Sequence, residues 1–203
     1  MLCYYSLNMK FPACIIGIAL LTGILLAAVY TVKSVKVLPI ESYSAQTSIG
    51  GVTIAADPYS TDERSFSAFD VRDLNSRGYF PIHIIIQNKS PDFLRIHTRN
   101  VLLVTKEGEQ LYTTPSTLVV EDVVDSGLSN TTALTDFTGK ELTNRWIDPG
   151  MVTDGFLFFY TPKPKVNLFE GSTLYIPKLE REGTGEAMGP FLIPLNSALR
   201  SSE

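Results

Sequence analysis

The chain has very little cysteine and histidine, which excludes several kinds of site. Both cysteines, Cys3 and Cys14, lie within the first 14 of the 203 residues. No disulfide can therefore cross-link the rest of the chain, and no thiol can act there as a nucleophile. The only histidines are His83 and His97. Because cysteine and histidine are the usual ligands of zinc and related metals, we expect no metal site and no cofactor.

Basic charge is also scarce. The formal net charge is −4, whereas a nucleic-acid-binding protein needs a basic face that can displace counterions from phosphate. We therefore expect no nucleic-acid partner. Charged residues make up only 19% of the chain, compared with about 25% in a typical globular protein. The deficit indicates an apolar segment, and that segment lies near the amino terminus.

Residues 11–32 form an apolar run of 22 residues without a charge or a polar face. A helix of that length crosses a hydrocarbon core of about 30 Å. We predict a tail at 1–10 and a transmembrane anchor at 11–32, with the carboxy-terminal domain outside the cytoplasm, facing the bacterial periplasm. A cleaved signal peptide, which would leave a secreted domain, stays an alternative. A lipid anchor is disfavoured because Cys14 lies near the start of the run.

The remaining sequence is dominated by short alternating segments that predict strands. Residues 79–88 are apolar on both faces, which indicates a central strand, and residues 94–99 alternate between apolar and polar. Residues 151–160 predict another strand, with Gly155 as a bulge. We predict a stalk at 33–49 and one antiparallel β-sandwich at 50–196. It would have seven or eight strands, one or two short helices and an insertion at 114–148, and a tail would follow at 197–203.

Three motifs carry a resemblance to a known kind of domain. They are GYFPIHIIIQNKS at 78–90, DPG at 148–150 and GFLFFYTP at 155–162. Over residues 50–195 the chain resembles the Ig-like domains of small membrane-anchored bacterial envelope proteins. The resemblance implies an Ig-like sandwich held at the membrane by one helix or a lipid, and it implies no catalytic residues.

Four residues are candidate ligand or partner contacts. Arg95, His97 and Arg99 alternate along a predicted strand and would share one face, where arginine could bind a phosphate or a carboxylate. A charged strand face turned to solvent explains the same pattern. Trp146 lies in the predicted insertion. His83 is interpreted as a hydrogen-bonded or half-buried sheet histidine rather than a catalytic base.

No constellation of catalytic residues stands out, so we predict a protein that is not an enzyme. The leading hypothesis is an extracytoplasmic binding or assembly protein that contacts an envelope protein through the 114–148 insertion or a sheet edge. One alternative is a ligand or lipid carrier or sensor, with a cleft in the sandwich and the Arg95–Arg99 stripe orienting its ligand. A second alternative is a hydrolase that uses acidic residues alone.

Overall fold

The computed structural model describes residues 29–124, 128–163 and 167–196. The predicted tails at 1–10 and 197–203 lie outside these ranges, as does all of the predicted anchor before residue 29. Within the ranges, no helix has both the length and the apolar character needed to cross a membrane.

The described residues form twelve strands, three α-helices and two 3-10 helices. The strands are β1 (Gln46–Ile49), β2 (Val52–Pro58), β3 (Tyr79–Asn88), β4 (Leu94–Ile96), β5 (Leu102–Val104), β6 (Gln110–Thr114), β7 (Trp146–Ile147), β8 (Val152–Tyr160), β9 (Thr173–Ile176), β10 (Leu179–Arg181), β11 (Ala187–Met188) and β12 (Phe191–Pro194). The α-helices are α1 (Asp62–Ala68), α2 (Ser116–Val123) and α3 (Leu128–Lys140), and the 3-10 helices are Ile40–Ser42 and Thr98–Asn100.

The prediction of a mainly antiparallel β fold is confirmed, whereas the predicted numbers of strands and helices are wrong. The pattern of residues 172–179 (STLYIPKL) predicts a single strand, but the chain breaks at Pro177 and forms β9 and β10. Proline has no backbone N–H to donate, and the two halves pair in different sheets. Three α-helices replace the expected one or two, and α3 alone has 13 residues.

The strands form two sheets whose named pairings are all antiparallel. The larger sheet has the order β1-β2-β3-β8-β6-β5-β9-β12. It curls until its two edge strands meet, and the Thr47 hydroxyl of β1 donates a hydrogen bond to the carbonyl oxygen of Leu192 in β12 at 2.8 Å. The smaller sheet has the order β11-β10-β4-β7. Both sheets contribute to one apolar core, so the architecture is sandwich-like around a nearly closed sheet.

The central strands are buried on both faces, as the sequence predicted for residues 79–88. In β8, Leu157 and Phe159 join the core shared by the two sheets. Phe156 and Phe158 point the other way, into a second core beneath the helices that includes Phe137 of α3. These aromatic residues therefore hold the helical layer on the sheet. The helices α2 and α3 lie within the 114–148 insertion predicted from the sequence.

The first described residues are attached to this helical layer. Tyr30 is buried, and its hydroxyl donates a hydrogen bond to Asp136 Oδ2 at 2.6 Å. The backbone N–H of Thr31 donates to Asp70 Oδ2 at 2.8 Å, and Lys33 pairs with the same carboxylate at 3.2 Å. Residues 29–32, the end of the predicted anchor, thus begin the folded domain.

Gly155 does not form the predicted bulge. The pairing of β3 with β8 continues in register through Gly155, which lies opposite Ile84. A Cβ atom at Gly155 would lie 2.8 Å from the backbone nitrogen and Cα of Leu142. The Leu142 N–H donates to the carbonyl oxygen of Phe156 at 2.9 Å. The glycine therefore permits the chain after α3 to cross directly over β8.

Candidate functional site

The smaller sheet places three of the four predicted contact residues on its outer face. Leu94 and Ile96 of β4 point into the core, so Arg95 between them faces outward. Across the strands, Arg95 lies opposite Trp146 of β7 on one side and Glu180 of β10 on the other. His97 follows β4 and contacts the same Glu180. We call this set, Arg95, His97, Trp146 and Glu180, the outer face.

The centre of the outer face is an arginine over an exposed tryptophan. The Arg95 guanidinium lies 5.6 Å from the centre of the Trp146 ring, within cation–π range. The Trp146 side chain remains 45% exposed. No carboxylate pairs with Arg95 in the part of the chain that the structure describes, so its donors remain available. A large aromatic ring beside an unpaired guanidinium is the composition typical of energetically dominant contacts in protein interfaces.

A charged triplet borders this pair. Glu180 Oε1 lies 2.8 Å from Lys178 Nζ, and its Oε2 lies 2.7 Å from His97 Nε2. The hydrogen bonds from Lys178 and then from His97 lower the pKa of Glu180 to about 2. Glu180 is therefore ionised at neutral pH and already paired, which leaves Arg95 as the cation of the outer face without a partner carboxylate.

Arg99 does not share the outer face, because β4 ends at Ile96. The residues that follow form the 3-10 helix Thr98–Asn100. Asn144 Oδ1 accepts hydrogen bonds from the Thr98 N–H at 2.7 Å and from the Thr98 hydroxyl at 3.1 Å, which fixes this turn. Arg99 is exposed at the rim of a separate cavity. The predicted stripe is thus two residues long, and Glu180, its main partner, was not predicted.

The other histidine is buried and lies beside two partly exposed ion pairs. His83 is 1% exposed, its Nε2 lies 2.8 Å from Asp154 Oδ2, and its ring stacks on Phe156 at 4.6 Å between centroids. Asp57 lies opposite His83 in β2 and pairs with Arg64 at 2.5 Å. Burial raises the pKa of Asp57, and the charges of Arg64 and His83 oppose that shift.

The contact with Asp154 accounts for His83 as a hydrogen-bonded sheet residue, since buried polar side chains usually have a hydrogen-bond partner. Across residues 29–124, 128–163 and 167–196, no group of three or more histidine, cysteine, aspartate or glutamate side chains is placed to hold a metal ion.

Comparison with known proteins gives only distant likenesses. No protein-family model matches the chain, and no curated protein sequence matches it. Among solved structures, the yjhA protein from Bacillus subtilis matches with 13% identity and a TM-score of 0.40, over 66% of this chain and 79% of that one. A proposed lipoprotein, ycdA, from Bacillus subtilis matches with 14% identity and a TM-score of 0.39, over 78% of this chain and 42% of that one. A functionally unknown protein from Listeria monocytogenes matches with 14% identity and a TM-score of 0.40, over 75% of this chain and 83% of that one. These are partial likenesses of shape, from which no residue role follows.

Proposed function

We propose that the protein is a non-enzymatic, membrane-anchored binding or assembly protein of the bacterial cell envelope. Its domain lies outside the cytoplasm and docks a protein partner through the outer face. The single observation that supports this function most directly is the Arg95–Trp146 pair. Tryptophan and arginine are, with tyrosine, the side chains enriched among residues that dominate binding energy.

The chemistry of the outer face specifies the partner. Burial of the exposed Trp146 ring in an interface would contribute favourable free energy. The Arg95 guanidinium has N–H donors that no carboxylate of the described residues accepts. A partner surface with an apolar pocket beside an aspartate or glutamate would satisfy both groups. The paired Lys178 and Glu180 would lie at the polar rim, where ion pairs contribute little affinity but help to fix orientation.

The anchor and the Ig-like character of the domain belong to the same proposal. Tyr30 begins the folded domain, so the membrane segment would be the uncharged run at 11–28. A helix of 18 residues would rise about 27 Å, within the range of known transmembrane helices. The sandwich-like pairing of the two sheets around one core supports the proposal of an Ig-like domain.

The test compares variants of the full chain in pull-downs from native membranes, solubilised in mild detergent after brief cross-linking. We expect the wild type to retain a stoichiometric partner, and Trp146→Ala to bind that partner about 30-fold more weakly. This factor corresponds to the loss of about 2 kcal/mol that is typical of a dominant contact. Arg95→Gln should weaken retention in the same direction. Tyr112→Ala is the matched control, because Tyr112 is an aromatic residue that is 64% exposed on β6.

Each outcome decides the proposal. Equal retention by Trp146→Ala and by Tyr112→Ala would show that the outer face is not the contact surface. Recovery of the protein without any stoichiometric partner would reject the assembly function itself. Resistance of the full chain to carbonate extraction from membranes would support the anchor, and release of the chain would contradict it.

A further inference from the structure

A second feature of the surface is a cavity of about 270 Å³ at Arg99. It opens between the 3-10 helix Thr98–Asn100, the end of β6 and the segment that follows α3. Pro115 is the exposed apolar residue of its lining, and the buried Leu157 and Phe158 lie beneath it; the other lining residues are polar or charged. The volume lies just below the range of about 300–1,000 Å³ that is typical of small-molecule sites. A ligand for this cavity must therefore be small.

We call this cavity the Arg99 cavity, because Arg99 supplies a cation at its rim. Its side chain is exposed and forms no ion pair or hydrogen bond with the described residues. The backbone beneath it is nevertheless fixed, because Thr98 is held by two hydrogen bonds to Asn144 Oδ1. Asn144 uses its oxygen in these bonds, which leaves its amide N–H groups as donors at the cavity wall. A guanidinium and an amide on a fixed frame can bind a carboxylate.

Glu141 supplies an anion in the same cavity. Its Oε2 accepts a hydrogen bond from the Ser116 hydroxyl at 2.6 Å, which orients the carboxylate at the beginning of α2. No cation pairs with this carboxylate within the described parts of the chain. A purely anionic ligand such as phosphate would meet Arg99 but would be repelled by Glu141. A ligand with a positive group beside its negative group would satisfy both side chains.

We infer that the Arg99 cavity binds a small ligand that carries a carboxylate and an ammonium group, as a free α-amino acid does. The carboxylate pairs with Arg99 and the Asn144 amide, and the ammonium group pairs with Glu141. The ligand's apolar side chain packs against Pro115, the exposed apolar residue of the cavity. This site is separate from the outer face, so the inference does not depend on the proposed partner.

The test is isothermal titration of the full chain in detergent with three related compounds. L-leucine has both charges, N-acetyl-L-leucine lacks the ammonium group and L-leucinamide lacks the carboxylate. We expect saturable one-to-one binding of leucine. Both derivatives should bind at least about tenfold more weakly, because each leaves one charged side chain of the cavity without its partner.

Point variants assign the binding to this cavity. Arg99→Gln and Glu141→Gln should each weaken leucine binding by at least about tenfold. Arg99 is exposed, and glutamine at 141 can still accept the Ser116 hydrogen bond, so both variants should keep the wild-type melting curve. Arg95→Gln is the matched control and should bind leucine like the wild type.

Absence of saturable leucine binding at millimolar concentrations would reject an amino-acid site. Equal binding by Arg99→Gln would place the ligand elsewhere. Tighter binding of N-acetyl-L-leucine or of inorganic phosphate than of leucine would show that the ammonium–Glu141 pair is wrong.

Discussion

The attachment of the amino-terminal segment to the helical layer predicts a measurable loss of stability in Tyr30→Phe. The Tyr30 hydroxyl donates to Asp136 Oδ2 at 2.6 Å, and Lys140 Nζ lies 2.7 Å from the same oxygen. Both Tyr30 and Asp136 are less than 10% exposed. Burial is the main cause that raises the pKa of Tyr30, so the hydroxyl keeps its proton and remains a donor. A hydrogen bond to a charged group contributes about 1.5–3 kcal/mol, and phenylalanine removes it without changing the packing of the ring.

The assay is urea denaturation of the full chain in detergent, followed by circular dichroism. We expect a lower midpoint with an unchanged slope, because the variant alters one contact and not the area exposed on unfolding. In thermal melts the same loss corresponds to a decrease in Tm of about 3–12 °C for a protein of this size. Tyr112→Phe is the matched control, since Tyr112 is exposed and should change stability by no more than about 0.5 kcal/mol.

A companion variant separates the hydroxyl from the charge. Asp136→Ala leaves the Lys140 ammonium without its buried partner, so we expect a larger loss of about 3–5 kcal/mol. In the Asp136→Ala background, Tyr30→Phe should then cost much less than in the wild type, because the acceptor is already absent. Equal midpoints for the wild type and Tyr30→Phe would refute the reasoning. Additive losses in the double variant would show that the two residues do not interact.

Three further predictions follow from individual contacts. Gly155→Ala should destabilise the domain by about 1–3 kcal/mol, because the new methyl group would overlap the Leu142 backbone. The midpoint of urea denaturation measures this loss. Gly139→Ala is the control and should cause no such loss, because the space around its Cβ position is open. The low pKa of Glu180 means that its contribution to stability is complete above the ordinary glutamate pKa of about 4.3 and disappears as the pH falls through about 2. The difference in the free energy of unfolding between the wild type and Glu180→Gln should therefore shrink as the pH falls over that interval. A difference that stays constant would contradict the low pKa of Glu180. Burial raises the pKa of Tyr59 to about 12, so the native state retains a proton that the unfolded chain loses from about pH 10. Stability should therefore fall between about pH 10 and 12, and Tyr59→Phe should reduce the fall; an identical fall would contradict this origin.

The parts of the fold that could be predicted are those set by local pattern. Residues 79–88 are apolar on both faces of the predicted strand. Accordingly, β3 lies inside the larger sheet, between β2 and β8. The break at Pro177 was missed because the apolar pattern continues across it, and only the pairing partners separate β9 from β10. The alternating segments predicted a mainly β domain but could not specify which strands would pair.

The candidate contact residues could be predicted only in part, for a different physical reason. The predicted stripe failed at Arg99 because β4 is ended by the Asn144 side chain, which lies 46 residues away in the sequence. Glu180 was missed because it is separated from His97 by 83 residues. Neither contact can be predicted from the local alternation of apolar and polar residues. Arg95 and Trp146 were singled out separately, and only the sheet register shows that they face each other.

The connection from α3 to β7 positions residues of both proposed sites. Glu141 and Asn144 line the Arg99 cavity, whereas Trp146, two residues after Asn144, lies on the outer face. This connection can run so close to β8 only because position 155 has no side chain. A methyl group there would displace the connection as a whole, since the Leu142 backbone has no flexible side chain that could move away instead. Gly155 therefore determines the geometry of two surfaces that it does not touch, and Gly155→Ala should weaken leucine binding and partner retention together even in molecules that remain folded.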